Sequence, residues 1–346
     1  MIRDEPSIDP GHISSCLADW YGIDAAALTF LPLGYDLNAA IYRVDARTGE
    51  RYFLKVRHGE PRVTGLRVSS ALTDLGTPNI LSPLRTKSGQ LWGPVGDDAG
   101  RSVVLFPFID GQDAMTAGLT DDQWRAFGRT MRAIHESGLG ERFRDQLRVE
   151  RFDLPSAALI DTVTTAVNEW CFVSPAAERF AAFWRAHLDR TRQIVERAME
   201  LGQSLANTPF ELVLCHADVH AANVLVGKDG ALRVVDWDGA MIAPRERDLL
   251  FVVSSRIARE VLPREESLFF EGYGETVINP DALRYFRYER IIEDIGEIGR
   301  SVLLTPERSE EGREAEARLA RGFFAPGGDI DRAEHVEHVR LPGPVT

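Results

Sequence analysis

Along the first hundred residues, apolar and polar positions follow one another at a spacing close to two. "AIYRVD" (40–45) and "RYFLKV" (51–56) flank the polar connection "ARTGE" (46–50), which predicts a β-hairpin. Further strands are expected at "LSPLRT" (81–86), "LWGPV" (91–95) and the strongly apolar "SVVLFPFI" (102–109). Between them a helix is expected after Pro61, stopping near Gly76, where Thr77-Pro78 forbids continuation. The spacing then lengthens to that of a helix. Leu119 to Gln123 reads as a start with Gln at the capping-box position, and Trp124, Phe127, Met131 and Ile134 recur on one face. Residues 150–205 keep the helical pattern, with Trp170, Phe180, Phe183 and Trp184 as expected core. "LVLCHA" (212–217), "NVLV" (223–226) and "LRVVDWD" (232–238) read as short strands. Helix is expected again from Glu246 to about Glu260 and across 280–304, before a Pro/Gly-rich tail that is expected to be partly loose. The outline is α+β: a small antiparallel sheet lobe over 1–108, a larger, mainly helical lobe over 109–325, and a tail over 326–346.

Composition narrows the function classes. The chain has 346 residues, 44% of them apolar and 27% charged, enough for a sizeable core shared by two lobes. Its net charge of −13 argues against non-specific nucleic-acid binding, which relies on Lys and Arg stripes; it is compatible with a cationic small molecule and equally with a generally acidic protein. The start of the chain lacks an apolar h-region and no apolar run approaches a spanning length, so neither a signal peptide nor a membrane role is expected. Cys16, Cys171 and Cys215 are odd in number and show no metal-ligand spacing, which fits a reducing cytoplasm. Cys215 is expected to be a small buried filler at a strand end.

The candidate chemistry lies in "LCHADVHAANVLV" (214–226), where His216, Asp218, His220 and Asn223 crowd one short connection, and in "VVDWDGA" (234–240). Asp218 can accept the proton of a substrate hydroxyl, while Asn223 and Asp236 offer hard oxygens of the kind Mg²⁺ prefers. That combination is what phosphoryl transfer needs, because its loose transition state asks mainly for alignment and for neutralisation of spreading charge. Lys55, inside the apolar "YFLKV", can supply a cation for the nucleotide phosphates. Taken alone, a strand lysine is better explained by a solvent-facing edge; paired with the downstream constellation, the phosphate role is the better reading. "LPLGYDLNAAIYRV" (31–44) then reads as a loop over the phosphates, with Gly34 and Asn38 at positions that tolerate unusual backbone angles.

These segments resemble the aminoglycoside phosphotransferase family, relatives of the protein kinases. The resemblance rests on "HADVHAANVLV" followed by "VVDWDGA", and extends to "GYDLNA", "YFLKVRHG", "FGRTMRAIH", "DWDGAMIAPRERDLLF", "FFEGYGETVIN", "FRYERIIEDI" and "FAPGG". Those later stretches resemble the spectinomycin phosphotransferase branch in particular. The resemblance implies a two-lobed protein-kinase-like fold and an ATP-dependent transfer, with GTP as the alternative donor, to a hydroxyl of an aminocyclitol antibiotic. It implies that Asp218 is the base, that Asn223 and Asp236 hold Mg²⁺, and that Lys55 grips the α- and β-phosphates. Adenine would meet the backbone near Phe108 and Ile109, and His216 would orient the catalytic loop. His220 could contact a phosphate or pack the loop, and His135 is expected to be a satisfied core histidine. The expected partner is a hydroxylated, cationic small molecule, and the expected state is a monomer.

One feature departs from the family. A strand lysine of this kind is paired there with a glutamate from the next helix, yet "PRVTGLRVSSALTDLG" (61–76) has none near Val63. Glu60 could substitute, Lys55 could turn toward Asp236, or the pair could be missing. The last case would suit a catalytically impaired binding relative. On the acceptor side, Glu289, Glu293 and Glu297 recur every four residues, with Asp294 beside them. They form either an acidic wall for a cation or a solvated face near Arg290 and Arg300. Asp238 could reach the metal or the substrate. The same chemistry on another small alcohol, such as a nucleoside antibiotic or a metabolite, is the alternative function.

Overall fold

The computed structural model describes residues 8–33, 38–95, 100–306 and 308–334. It divides into two compact units. One comprises residues 1–148, 213–242 and 257–274; the other comprises 149–212, 243–256 and 275–346.

The first unit is built on a five-stranded antiparallel sheet of Ala25–Leu31, Ala39–Ala46, Arg51–His58, Arg101–Pro107 and Gly93–Pro94, adjacent in that order. The hairpin read from 40–56 forms as expected, with Tyr42 opposite Leu54 and Ile41 opposite Lys55. Alternation sorts the two faces. Tyr42, Val44, Leu54, Val56, Val103 and Leu105 bury one face against Ile13, Cys16 and Leu17 of the N-terminal helical turns. Lys55 points to the other face, where Val104 packs with Leu66 of the helix Val63–Asp74 and with Leu91.

Two expected strands fail or shrink. "LSPLRT" stays irregular, because Pro83 in its centre cannot donate to a ladder; Leu81 N bonds Val234 O at 3.1 Å and Leu84 N bonds Leu105 O at 2.7 Å, on two different strands. "LWGPV" contributes just Gly93–Pro94.

The helix Asp121–His135 starts on the expected capping box of Thr120 and Gln123 and packs on the helix Pro263–Tyr273. Glycines let the two backbones touch: a Cβ at Gly128 would meet Phe269 O at 2.0 Å, and one at Gly272 would meet Arg125 O at 1.9 Å. His135 is buried and bonds Tyr273 Oη through Nδ1 at 2.7 Å, a satisfied core histidine as expected. Beyond it lie the short strands Val213–Cys215, Val224–Gly227 and Leu232–Val234, which carry the catalytic-type segments, and Cys215 is wholly buried at a strand end.

The second unit is helical: Ala157–Glu169, Pro175–Leu205, Pro280–Leu304, Glu310–Phe323 and Asp329–Glu334 surround Phe180, Trp184, Ile292 and Ile295. Trp170 is not part of that core. It follows the helix at its C-cap in extended backbone and is 54% exposed. The helix expected over 246–260 ends at Leu249, and left-handed backbone at Ser254 and Ala258 keeps it from resuming. Among the described residues, no helix is long and apolar enough to cross a membrane.

Candidate active site

The site is assembled inside the first unit from two tight connections. The strand Val213–Cys215 ends at His216, which is fully buried. Its Nδ1 accepts the Asp218 backbone N–H at 3.3 Å, so its Nε2–H is the atom that donates to Val235 O, at 2.9 Å. One imidazole therefore bolts the loop carrying Asp218 to the residue preceding Asp236. The Trp237 ring packs on it, with the centroids 4.6 Å apart. Ala217 between them adopts φ 66°, a left-handed conformation that turns the loop sharply before Asp218.

Asn223 closes the loop from the other end. Its Nδ2 donates to Asp218 O at 2.8 Å and lies 3.3 Å from Asp218 Oδ2, while its backbone O accepts Val235 N–H at 3.0 Å. With the amide nitrogen turned onto Asp218, the carbonyl oxygen is the atom left for a ligand. His220 caps the short turn Ala221–Asn223 by accepting Ala222 N–H on Nδ1 at 3.2 Å. Its Nε2 stands 3.6 Å from Asp218 Oδ1, too long for a hydrogen bond to a neutral ring. A loop-packing role is therefore visible for His220, alongside its neighbourhood with Asp218.

Asp236 follows the strand Leu232–Val234 with φ 63° and ψ 69°, so its carboxylate leaves the strand direction and is exposed. Asp is among the side chains that tolerate this region, and Gly239 after it lies 3.7 Å from Asp218 Cβ, measured from a Cβ built on that glycine. The metal-type segment and the loop of Asp218 thus stand side by side. The chemistry of the donors fits a hard divalent cation: one exposed carboxylate from Asp236 and one amide oxygen from Asn223.

Lys55 does not turn to Asp236, nor to Glu60, which is exposed. Its Nζ meets Asp238 Oδ2 at 3.1 Å, with side-chain exposures of 22% and 23%. The sequence left Asp238 between metal and substrate; its contact with Lys55 went unforeseen, because a separation of 183 residues carries no local signal. Phe108 N–H is already donated to Arg51 O at 3.2 Å, and Arg51 stacks over the Phe108 ring at 5.2 Å. From Phe108 it is therefore the carbonyl, and from Ile109 the amide, that could meet a base. Asn38 is exposed in the turn just before the strand Ala39–Ala46, and its backbone O accepts His58 N–H at 2.9 Å, while Gly34 lies outside the described residues.

In the second unit the expected acidic face divides. Glu289 is 3% exposed and accepts Arg247 Nη1–H at 2.7 Å, so it faces the interior and not an open wall. Burial works against the Arg247 charge, but Glu289 and Glu293 outweigh it and hold the guanidinium above its ordinary pKa. Asp294 accepts Arg290 Nε–H at 3.0 Å, and Glu293 is half-buried.

Comparisons with known proteins bear on the family and the fold. The phosphotransferase enzyme family APH matches residues 29–286. A solved structure of the spectinomycin phosphotransferase APH(9)-Ia, in complex with ADP and spectinomycin, superposes with a TM-score of 0.84 at 29% identity, over 96% of this chain and 99% of that one. The amicoumacin kinase hAmiN, solved with AMP-PNP, Ca²⁺ and Ami, shares the fold with a TM-score of 0.63 at 17% identity, over 94% of this chain and 97% of that one. Protein StrN of Streptomyces griseus is 27% identical over 188 residues, which are 52% of this chain and 56% of StrN, so the match spans little more than half of that relative. The kinase-like fold expected from the motifs is the fold observed.

Proposed function

The chain belongs to the APH phosphotransferase enzyme family, and from that premise we propose that it moves the γ-phosphate of ATP to a hydroxyl of an aminocyclitol antibiotic of the spectinomycin type, in the cytoplasm, and so confers resistance. The observation that carries the reading is the loop in which His216 and Asn223 hold the Asp218 backbone from both sides while its carboxylate stays partly open.

In this reading Asp218 takes the proton of the acceptor hydroxyl as the new O–P bond forms, and the bond from the γ-phosphorus to the bridging oxygen breaks to release ADP. Lys55 orients the nucleotide phosphates, and His216 keeps Asp218 in register with Asp236. Asn223 and Asp236 are the residues that would hold Mg²⁺, which supplies neutralisation of phosphate charge when bound. Asn38 and the glycine loop would cover the phosphates, and the carbonyl of Phe108 with the amide of Ile109 would receive the base. On the acceptor side the reading keeps Glu293 and Asp294 as contacts for a cation and drops Glu289, whose charge Arg247 neutralises. We retain a monomer and the lobe limits 1–108 and 109–325. The Lys55–Asp238 pair favours an active enzyme over an impaired relative.

The test is ADP release by purified protein with Mg-ATP and an acceptor panel led by spectinomycin. We expect spectinomycin-dependent turnover that falls about 10²- to 10⁴-fold in Asp218→Ala. Turnover with a different acceptor alone would remove the spectinomycin assignment and keep the chemistry. Absence of turnover with every acceptor would sink the function proposed.

A further inference from the structure

Lys55 lies mid-sheet, opposite Ile41 on one neighbouring strand and Val104 on the other. The helix Val63–Asp74 covers the same face, yet its contribution to the site is a glycine. A Cβ on Gly65 would stand 2.5 Å from Trp237 O and 3.3 Å from Asp238 N. The turn Trp237–Gly239 therefore lies directly against the helix backbone at Gly65, where a larger side chain would not fit. Arg62, at the N-cap of that helix, reinforces the contact by donating to Asp238 O at 3.4 Å. The carboxylate that does reach Nζ, at 3.1 Å, belongs to the turn.

We infer that Asp238 is the positioning residue for Lys55: the acid partner of the phosphate-gripping lysine resides on the turn that carries the metal-type Asp236, and the helix serves as its backstop through Gly65. This rests on the kinase reading above. A lysine on a four-carbon stem loses about 1.5–2 kcal/mol of rotamer freedom when it is fixed, so a lysine already fixed by Asp238 meets the phosphates with part of that cost met in advance. Opposing this is repulsion between Asp238 and the phosphates. With Lys55 Nζ directly on the carboxylate, the pair presents little net charge, and the ordering term wins. Because Asp236 precedes Asp238 by two residues, the lysine and the metal-type carboxylate move as one piece.

The inference is tested on the full chain by calorimetric binding of ADP, with and without Mg²⁺, to wild type, Asp238→Asn, Asp238→Glu, Lys55→Ala and the double variant Asp238→Asn/Lys55→Ala. The Michaelis constants for Mg-ATP and for the acceptor are measured alongside. We expect Asp238→Asn to weaken ADP binding about tenfold both with and without Mg²⁺. Asp238→Glu should recover part of that loss, and the Michaelis constant for Mg-ATP should rise while that for the acceptor holds. The deciding result is the cycle: the effect of Asp238→Asn should vanish once Lys55 is alanine. Effects that add across the two sites would overturn the inference. So would tighter ADP binding in Asp238→Asn, a loss confined to the acceptor constant, or a loss seen only with Mg²⁺. A wild type that binds no adenine nucleotide would sink the kinase reading itself, and this inference with it.

Discussion

At the residue scale, single side chains in this chain hold two backbones at once, and their loss should be felt twice. His216 is buried and bonds Asp218 N–H and Val235 O. Alanine there leaves both groups without their partner, so His216→Ala should cost about 1–3 kcal/mol by urea denaturation and lower the turnover number, because Asp218 and Asp236 lose their common anchor. Asparagine keeps a donor and an acceptor on a shorter arm and should retain more of each; equal losses in both variants would mean that the ring acts only by filling space. Arg247 and Glu289 make the complementary case. Both are buried, at side-chain exposures of 8% and 4%, and removing one strands the charge of the other. Arg247→Met should cost about 3–5 kcal/mol, while Arg247→Met combined with Glu289→Leu should cost less than the single change. This residue also shows where sequence reading stops. A spacing of four places Glu289, Glu293 and Glu297 on one helical face, but nothing in that period says whether the face meets water or an arginine 42 positions upstream.

At the scale of elements, the helix Asp121–His135 crosses Pro263–Tyr273 at a distance that only glycine allows on both sides. Gly272→Ala should destabilise by about 1–3 kcal/mol or more, since its methyl would meet main chain that cannot rotate away, and Gly128→Ala should behave alike. Gly322→Ala, where a Cβ meets nothing within 4 Å, is the control expected to be neutral or slightly stabilising in the same urea titration.

Two other helices start on a shared acid. Glu310 accepts Ser174 Oγ at 2.5 Å and Ala176 N–H at 2.6 Å, and these bonds, the hydroxyl first, hold its carboxyl below the ordinary value of 4.5. A carboxyl whose folded pKa is depressed adds stability that is fully present above the unfolded value and is lost as pH falls through the folded one. The difference in urea midpoint between wild type and Glu310→Gln should hence be constant from pH 6 to 8 and shrink once the pH passes below 4.5. A difference that persists unchanged to lower pH would mean that the acid contributes shape alone. The helix Asp121–His135 was legible from cap and period together, through Thr120 and Gln123, whereas Glu310–Phe323 was not read from the sequence. What misled was local apolarity without backbone consent: Pro83 inside a strand-like run, and left-handed Ser254 and Ala258 inside a helix-like one.

At the scale of the whole molecule, the fold class and the catalytic-type segments were readable because each motif is contiguous and chemically unusual. The charge partner of Lys55 was not readable, because it depends on how a distant turn meets a helix through Gly65. Net charge belongs to this scale as well. At −13, the chain's long-range field attracts a cationic acceptor and repels the anionic Mg-ATP complex. Salt screens both effects over a Debye length of about 10 Å at 0.1 M, so the two substrates of the proposed reaction should respond in opposite directions. Raising NaCl should lower kcat/KM for the cationic acceptor and raise it for Mg-ATP, each by a few-fold at most, because Lys55 supplies attraction for phosphates only at short range. The measurement is kcat/KM for each substrate across a salt series, with the other saturating. A parallel fall in both would mean that local contacts, not the field of the whole chain, govern the two encounters.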